Sequence, residues 1–235
     1  MKESKDFSKI EKAIGVIFKN QDLLRQAFVH RSYLNEHRDF PMAHNERLEF
    51  LGDAVMELIV TEHLYENYQS PEGELTNWRS ALVRGDTISK LARELGYNDY
   101  LFLSRGESKA EGRSRDLILA NCFEAVVGAM YLDAGYNTCR EFLRRVLIAH
   151  LTRIINEQSY IDPKSKLQEL IQEKLNYTPE YKVLSEGGPD HDKHFVVGVF
   201  IEKRQIGEGE GPSKQRAQEQ AAAAALREHV WDKND

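Results

Sequence analysis

Acidic side chains recur at helical spacing in an otherwise apolar segment of the sequence. In NERLEFLGDAV, residues 45–55, Glu46, Glu49 and Asp53 are spaced i, i+3 and i+7, which places them on one face of a helix. A buried carboxylate without a partner is strongly unfavourable. The pattern therefore predicts that something of opposite charge meets this face.

A second apolar segment, ILANCFEAVVGAMYLD at residues 118–133, carries Asn121 and Glu124 at i and i+3. Together with Glu49 and Asp53, they could offer four oxygen atoms to one Mg²⁺, a cation that prefers oxygen ligands. Such an ion supports phosphodiester hydrolysis by activating water and stabilising the leaving oxygen. The alternative is that these acids form ion pairs or helix caps on partly exposed faces.

Composition sets looser bounds on the function. The chain has 235 residues and a net charge of −6, so any affinity for nucleic acid must come from local patches. Its two cysteines, Cys122 and Cys139, are not arranged as a metal site and fit a reducing compartment. The charged N-terminus and the lack of a run of about 20 apolar residues predict a cytoplasmic protein that is not secreted and does not contact a membrane.

Apolar periodicity predicts that residues 1–157 are helical. Helices are expected at 44–68, 75–82, 86–95, 116–132 and 137–156, with a loop at 104–115. Gly52 and Gly128 fall inside two of these helices, where glycine is unfavourable by about 1 kcal/mol relative to alanine. Close packing of the helices would explain both glycines, and so would proximity to a site.

The pattern changes after a short linker at 158–162. Residues 163–235 read as a small α-β-β-β-α domain, from helical spacing, β-branched runs and turn residues. Its expected elements are a helix at 164–175, strands at 181–186, 194–202 and 204–207, and a helix from 212 to 231.

NERLEFLGDAV closely resembles the signature of the ribonuclease III family. The resemblance continues through PEGELTNWRSALVRGDTISKLARELG, LSRGESKAEGRSRDLILAN and FEAVVGAMYLDAG, and the second domain resembles a double-stranded RNA-binding domain. It implies an all-α endonuclease domain followed by a small α+β RNA-binding domain.

The resemblance also implies an activity. The expected protein is a homodimeric endoribonuclease that cleaves double-stranded RNA with Mg²⁺, for which Mn²⁺ is a possible substitute. Its products would carry 5′-phosphate and 3′-hydroxyl ends with a short 3′ overhang. Ribosomal RNA precursors and structured messenger or regulatory RNAs are the implied substrates.

The family pattern assigns roles to individual positions. The implied metal ligands are Glu49, Asp53, Asn121 and Glu124. Asp53 and Glu124 are also the implied catalytic residues. At position 121 the family commonly has Asp, so the amide of Asn121 predicts weaker Mg²⁺ binding. An active natural variant, an engineered weakening and a non-catalytic RNA-binding member all remain open.

Three further positions carry implied roles in the helical domain. Glu46 and Glu72 match acids that lie near the catalytic valley and assist the site. Phe50 matches an aromatic residue that packs across the dimer interface, with a place in the core as the alternative.

The second domain carries the expected RNA contacts. They are Gln168, Glu169 and Gln172 on the first helix, His191 in a turn, and Lys214 and Arg216 at the start of the last helix. This arrangement suits two successive minor grooves of A-form RNA and the phosphates between them. Gln215 stands where the family usually has a second lysine, and an ordinary solvated helix face is the alternative for Gln168 and Gln172.

Overall fold

The computed structural model describes residues 5–157, 160, 162–189 and 193–228. The chain divides into two compact units, Met1–Tyr160 and Ile161–Asp235. The first unit is helical and the second combines helices with a three-stranded sheet, which confirms the predicted fold class.

The first unit is built from nine helices within the described residues. They are α1 (Ser8–Ile14), α2 (Gln21–Ala27), α3 (Arg31–Glu36), α4 (Glu46–Asn67), α5 (Glu72–Leu82), α6 (Gly85–Glu94), α7 (Gly112–Ala134), α8 (Tyr136–Val146) and α9 (Leu151–Asn156). Short 3₁₀ turns occur at Tyr97–Asp99, Glu107–Lys109 and Ile148–His150.

Three helical boundaries differ from the sequence prediction. Helix α7 begins at Gly112, inside the predicted loop 104–115, because its polar first turn is exposed and therefore lacks an apolar signal. The predicted helix 137–156 is divided into α8 and α9 around a 3₁₀ turn. Helix α5 begins at Glu72, directly after Pro71, rather than at residue 75.

Helices α4 and α7 cross at the centre of this unit, and glycine lies on both sides of the crossing. A Cβ atom added at Gly52 would lie 2.7 Å from the backbone nitrogen of Gly128 and would collide with the Glu124 carbonyl. A Cβ atom at Gly128 would in turn meet the Leu48 carbonyl. Both glycines therefore allow the helix backbones to touch, and the contact adjoins the predicted metal site.

Helix α7 is long and apolar enough to cross a membrane, and 61% of its most apolar window is buried inside the protein. Burial of this extent is typical of the core helix of a globular domain, so the hydropathy of α7 is explained by its position beneath α4.

The second unit places two helices against one antiparallel sheet. Its elements are α10 (Pro163–Leu175), β1 (Glu180–Gly187), β2 (His194–Ile201), β3 (Arg204–Gly211) and α11 (Lys214–Glu228), with strand order β1-β2-β3. Strand β3 is longer than the predicted 204–207, because Gly207, Gly209 and Gly211 pack against the alanine-rich face of α11.

Candidate active site

The start of α4 is fixed by Asn45, which is buried. Its side-chain amide donates to the Ala27 carbonyl at 3.0 Å, and its backbone N–H donates to the Val29 carbonyl at 2.9 Å. Leu48 and Gly52 then face the core. The helical repeat consequently directs Glu49 and Asp53 to the edge of the α4–α7 crossing.

Glu124 of α7 is the acid most affected by this arrangement. Burial and, to a smaller extent, the charges of Asp53, Glu49 and Glu57 together raise the pKa of its carboxyl from an ordinary 4.5 to about 8. The structure thus brings Glu124 into electrostatic reach of both predicted acids of α4. Ionisation of Glu124 beside these acids is unfavourable without a compensating cation.

Asn121 contacts the same cluster. Its side-chain amide is close enough to the Glu49 carboxylate to lower the pKa of that carboxyl. Burial and the charges of Glu46 and Asp53 act in the opposite direction, and the net effect is a raised pKa. An amide at position 121 therefore relieves repulsion that a fourth carboxylate would increase.

The donor chemistry of this cluster fits a hard divalent cation. Mg²⁺ prefers oxygen ligands, and this cluster offers three carboxylates and one amide oxygen. The raised pKa of Glu124 indicates that burial and neighbouring acids disfavour its ionised form, an effect that a bound cation would offset. In the conformation described for residues 5–157, no group of three or more His, Cys, Asp or Glu side chains is close enough to hold a metal ion. Binding would therefore draw the carboxylates together.

Glu57 is a member of the cluster that the sequence analysis missed. It lies one helical turn beyond Asp53 on α4 and contributes to the raised pKa of Glu124. The i+4 spacing from Asp53 was the available signal, but Glu57 lies outside the signature segment.

Glu46 has a different environment from the other acids of α4. Its Oε1 atom lies 3.5 Å from Nη1 of Arg31, and its Oε2 atom lies 3.7 Å from Nδ1 of His44. Glu46 is also close enough to raise the pKa of Glu49. It therefore lies between a cationic side chain and the acidic cluster.

Glu72 does not join this cluster within one chain. It begins α5, beyond the C-terminal end of α4, and lines a groove with Tyr65 and Arg79. Helix α4 has 22 residues and is about 33 Å long at about 1.5 Å per residue. Glu46 and Glu72 are consequently near opposite ends of α4.

Phe50 is 81% exposed, which excludes the alternative that it fills the core of its own unit. Leu58 and Tyr65 are 58% and 77% exposed farther along the same helix. Helix α4 thus presents large apolar side chains to solvent along much of its length.

The second unit places most of the predicted RNA contacts on exposed helical surfaces. Gln168, Glu169 and Gln172 are exposed on α10, and Lys214 and Arg216 are exposed in the first turn of α11. His191 lies outside the described residues.

Several of these side chains already have partners. Gln172 donates to Asn176 at 2.8 Å. Lys214 Nζ lies 3.6 Å from Glu186, and Arg216 Nη1 lies 3.2 Å from Glu219. To contact a phosphate, Lys214 would have to give up its ion pair with Glu186. The loss would be small, because exposed ion pairs contribute little free energy.

Two family profiles match the chain. The one described as Ribonuclease-III-like matches residues 20–151, and the one described as a double-stranded RNA binding motif matches residues 163–229. The first covers α2 to the start of α9, including the acidic cluster, and the second covers the described elements of the second unit.

Curated relatives align over nearly the whole chain. Ribonuclease 3 of Streptococcus agalactiae is 43% identical over 220 residues, which are 93% of this chain and 96% of the relative. Ribonuclease 3 of Bacillus cereus is 44% identical over 225 residues, covering 94% of this chain and 90% of the relative.

Solved structures resemble the helical unit. The nuclease domain of ribonuclease III from Campylobacter jejuni superposes with a TM-score of 0.55 at 34% identity, covering 60% of this chain and 95% of that domain. That structure is described as showing flexibility in a region involved in dimer formation. A second structure of the same domain gives a TM-score of 0.54, also at 34% identity, and covers 62% of this chain and 94% of that domain.

Proposed function

The chain belongs to the ribonuclease III family and is an endoribonuclease specific for double-stranded RNA, and on this premise we propose that it cleaves RNA at the cluster formed by α4 and α7. The observation that carries the proposal is the environment of Glu124, whose pKa is raised by burial and by the carboxylates of α4. Such a cluster is suited to hold Mg²⁺, with Mn²⁺ as a possible substitute.

The proposed ligands are the carboxylates of Glu49, Asp53 and Glu124 and the amide oxygen of Asn121. Mg²⁺ bound there would supply activation of water and stabilisation of the leaving oxygen. Asp53 and Glu124 are the proposed catalytic residues: they would orient the attacking water, and one of the two carboxylates would accept its proton. As the water oxygen bonds to phosphorus, the bond from phosphorus to the 3′ oxygen would break, and the 3′ oxygen would take a proton from solvent. The products would be 5′-phosphate and 3′-hydroxyl ends.

The proposed assembly is a homodimer. One helical unit offers one acidic cluster, whereas cleavage of both strands with a short 3′ overhang requires two. Exposed Phe50, Leu58 and Tyr65 on α4 supply an apolar surface for a second copy. Because Glu72 is far from the cluster of its own chain, it would assist only the cluster of another copy.

The second unit would hold the duplex. In the proposed contact, Gln168, Glu169 and Gln172 meet one minor groove and the His191 turn meets the next. Lys214 and Arg216 would then contact the intervening phosphates, where the N-terminus of α11 also favours an anion.

The proposed substrates are ribosomal RNA precursors and structured messenger or regulatory RNAs, processed in the cytoplasm without a membrane partner. The relatives named Ribonuclease 3 support RNA as the substrate.

A second candidate function is a non-catalytic or weakened RNA-binding member, favoured by Asn121 alone. Cleavage of one long duplex across a Mg²⁺ titration separates the two functions when the natural chain, Asn121→Asp and Glu124→Ala are compared. We expect cleavage by the natural chain, cleavage at lower Mg²⁺ by Asn121→Asp, and none by Glu124→Ala. Failure of the natural chain at every Mg²⁺ concentration would favour the non-catalytic function, and equal cleavage by all three would remove the site from this cluster.

A further inference from the structure

Glu46 is distinguished from its neighbouring acids by the charges around it. Each of its carboxylate oxygens faces one basic group, Arg31 at 3.5 Å and His44 at 3.7 Å. Across the described part of the chain, Glu49, Asp53 and Glu124 have no ion pair. Glu46 therefore has a cationic partner in Arg31, whereas the other three carboxylates have none among the described residues.

The backbone beside Arg31 is firmly held. The ring Nδ1 of His30 accepts from the Ser32 N–H at 3.3 Å and so caps α3, of which Arg31 is the first residue. The backbone N–H of His30 donates to the Phe102 carbonyl at 3.1 Å. These bonds fix where the Arg31 side chain leaves the backbone.

The other side of Glu46 is also constrained. The Nδ1 atom of His44 is buried and has no hydrogen-bond partner within the described residues, so its 3.7 Å approach to Glu46 Oε2 is the interaction available to it. Glu46 thus has a defined orientation, with Oε1 directed at Arg31.

Stability does not account for this pairing. The side chains of Arg31 and Glu46 are 72% and 47% exposed, and exposed ion pairs typically contribute only about 0.2–1 kcal/mol. Arginine has five N–H donors in a planar fork that matches phosphate oxygens. A single contact with Glu46 leaves several of those donors facing solvent.

Binding of RNA beside these acids must also overcome electrostatic repulsion. The carboxylates of Glu49 and Asp53 repel a polyanionic substrate. A fixed cation at the edge of this cluster would offset that repulsion, and Arg31 is held there by its ion pair with Glu46.

We propose that Arg31 binds a backbone phosphate of the duplex beside the acidic cluster, and that Glu46 is a positioning residue that orients Arg31 rather than a metal ligand. This inference rests on the proposed function, because it takes duplex RNA as the ligand.

The test measures binding of the full chain to a labelled long RNA duplex in EDTA, over a series of KCl concentrations. The variants are Arg31→Ala, Arg31→Lys and Glu46→Gln, with Arg153→Ala on the exposed surface of α9 as the matched control. Steady-state cleavage with Mg²⁺ then separates KM from kcat for each variant.

We expect Arg31→Ala to weaken binding about 3-fold to 10-fold and to flatten the dependence of log K on log salt by about 0.9. KM should rise while kcat stays within about twofold of the natural value. Arg31→Lys should restore part of the affinity, Glu46→Gln should weaken binding about twofold to threefold, and Arg153→Ala should bind as the natural chain does.

Unchanged affinity and salt dependence in Arg31→Ala would overturn the phosphate contact. A loss of kcat in Glu46→Gln that is rescued by more Mg²⁺ would overturn the positioning role and make Glu46 a metal ligand. Because binding is measured without divalent metal, the affinities and salt dependences of Arg31→Ala and Glu46→Gln remain decisive even if the natural chain fails to cleave, an outcome that would overturn only the proposed function.

Discussion

Replacing Glu124 by Gln should stabilise the metal-free protein at alkaline pH while abolishing cleavage. The carboxyl of Glu124 has its pKa raised from 4.5 to about 8, first by burial and then by neighbouring acids. Glutamine has nearly the same shape and carries no charge. It therefore removes the repulsion without leaving a cavity.

The magnitude follows from proton linkage. At 1.36 kcal/mol per pKa unit, a rise from 4.5 to about 8 corresponds to roughly 5 kcal/mol of unfavourable free energy for the ionised group. Solvent screening of a partly exposed side chain reduces this to about 1–3 kcal/mol. The folded state binds this proton more tightly than the unfolded state, so stability should fall as pH rises from 4.5 toward 8 and then level off.

Thermal unfolding of the full chain in EDTA at pH 5 and pH 9 measures the effect at one fixed protein concentration. We expect Glu124→Gln to melt roughly 2–12 °C above the natural chain at pH 9 and close to it at pH 5. Adding Mg²⁺ should raise the melting temperature of the natural chain more than that of the variant, since only a bound cation offsets the charge.

The matched control is Glu141→Gln, at an exposed position of α8, which should change stability by less than about 0.5 kcal/mol. Equal melting of Glu124→Gln and the natural chain at pH 9 would refute the reasoning, because Glu124 would then not be under electrostatic strain. A stabilisation of the same size at both pH values would also refute it, since a packing effect does not depend on ionisation.

Three other perturbations test separate parts of the structure. Gly52→Ala should separate α4 from α7 and destabilise the helical unit by about 2 kcal/mol or more, detected by thermal melting together with lost cleavage; an unchanged melting temperature would contradict the backbone contact. Asn121→Asp should lower the Mg²⁺ concentration for half-maximal cleavage and destabilise the metal-free protein, measured by titration and melting. Lys214→Glu should weaken duplex binding about tenfold and flatten its salt dependence, and unchanged binding would remove α11 from the RNA contact.

Of the two helices that carry the acidic cluster, α4 was predicted closely from the sequence, whereas α7 was expected at 116–132 and is observed at Gly112–Ala134. Helix α4 was expected at 44–68 and observed at Glu46–Asn67, because a long apolar segment with helical spacing leaves few alternatives. The electrostatic proximity of Glu49 and Asp53 to Glu124 agrees with the spacing within each helix, whereas their role as metal ligands stays a prediction.

Contacts between segments that are distant in the sequence were harder to predict from the sequence alone. The pairing of Arg31 with Glu46 depends on how the short helix α3 folds against the start of α4, and no spacing rule connects the two. The separation of Glu72 from the cluster depends on the length of α4 and the direction of the chain after it. The glycines of strand β3 resemble turn residues in the sequence, and only the structure shows that they allow close packing against α11.

Helix α4 has consequences for how mutations in this protein should be interpreted. Its buried edge contains Gly52 and sets the distance to α7, its acidic edge carries Glu49 and Asp53, and its exposed edge carries Phe50 and Tyr65. A mutational scan scored only by RNA cleavage is expected to detect losses at all three edges and could not separate folding, chemistry and the proposed subunit association. Measuring stability and oligomeric state for each variant would assign each edge its own phenotype, and the same three readouts would guide any redesign of this helix.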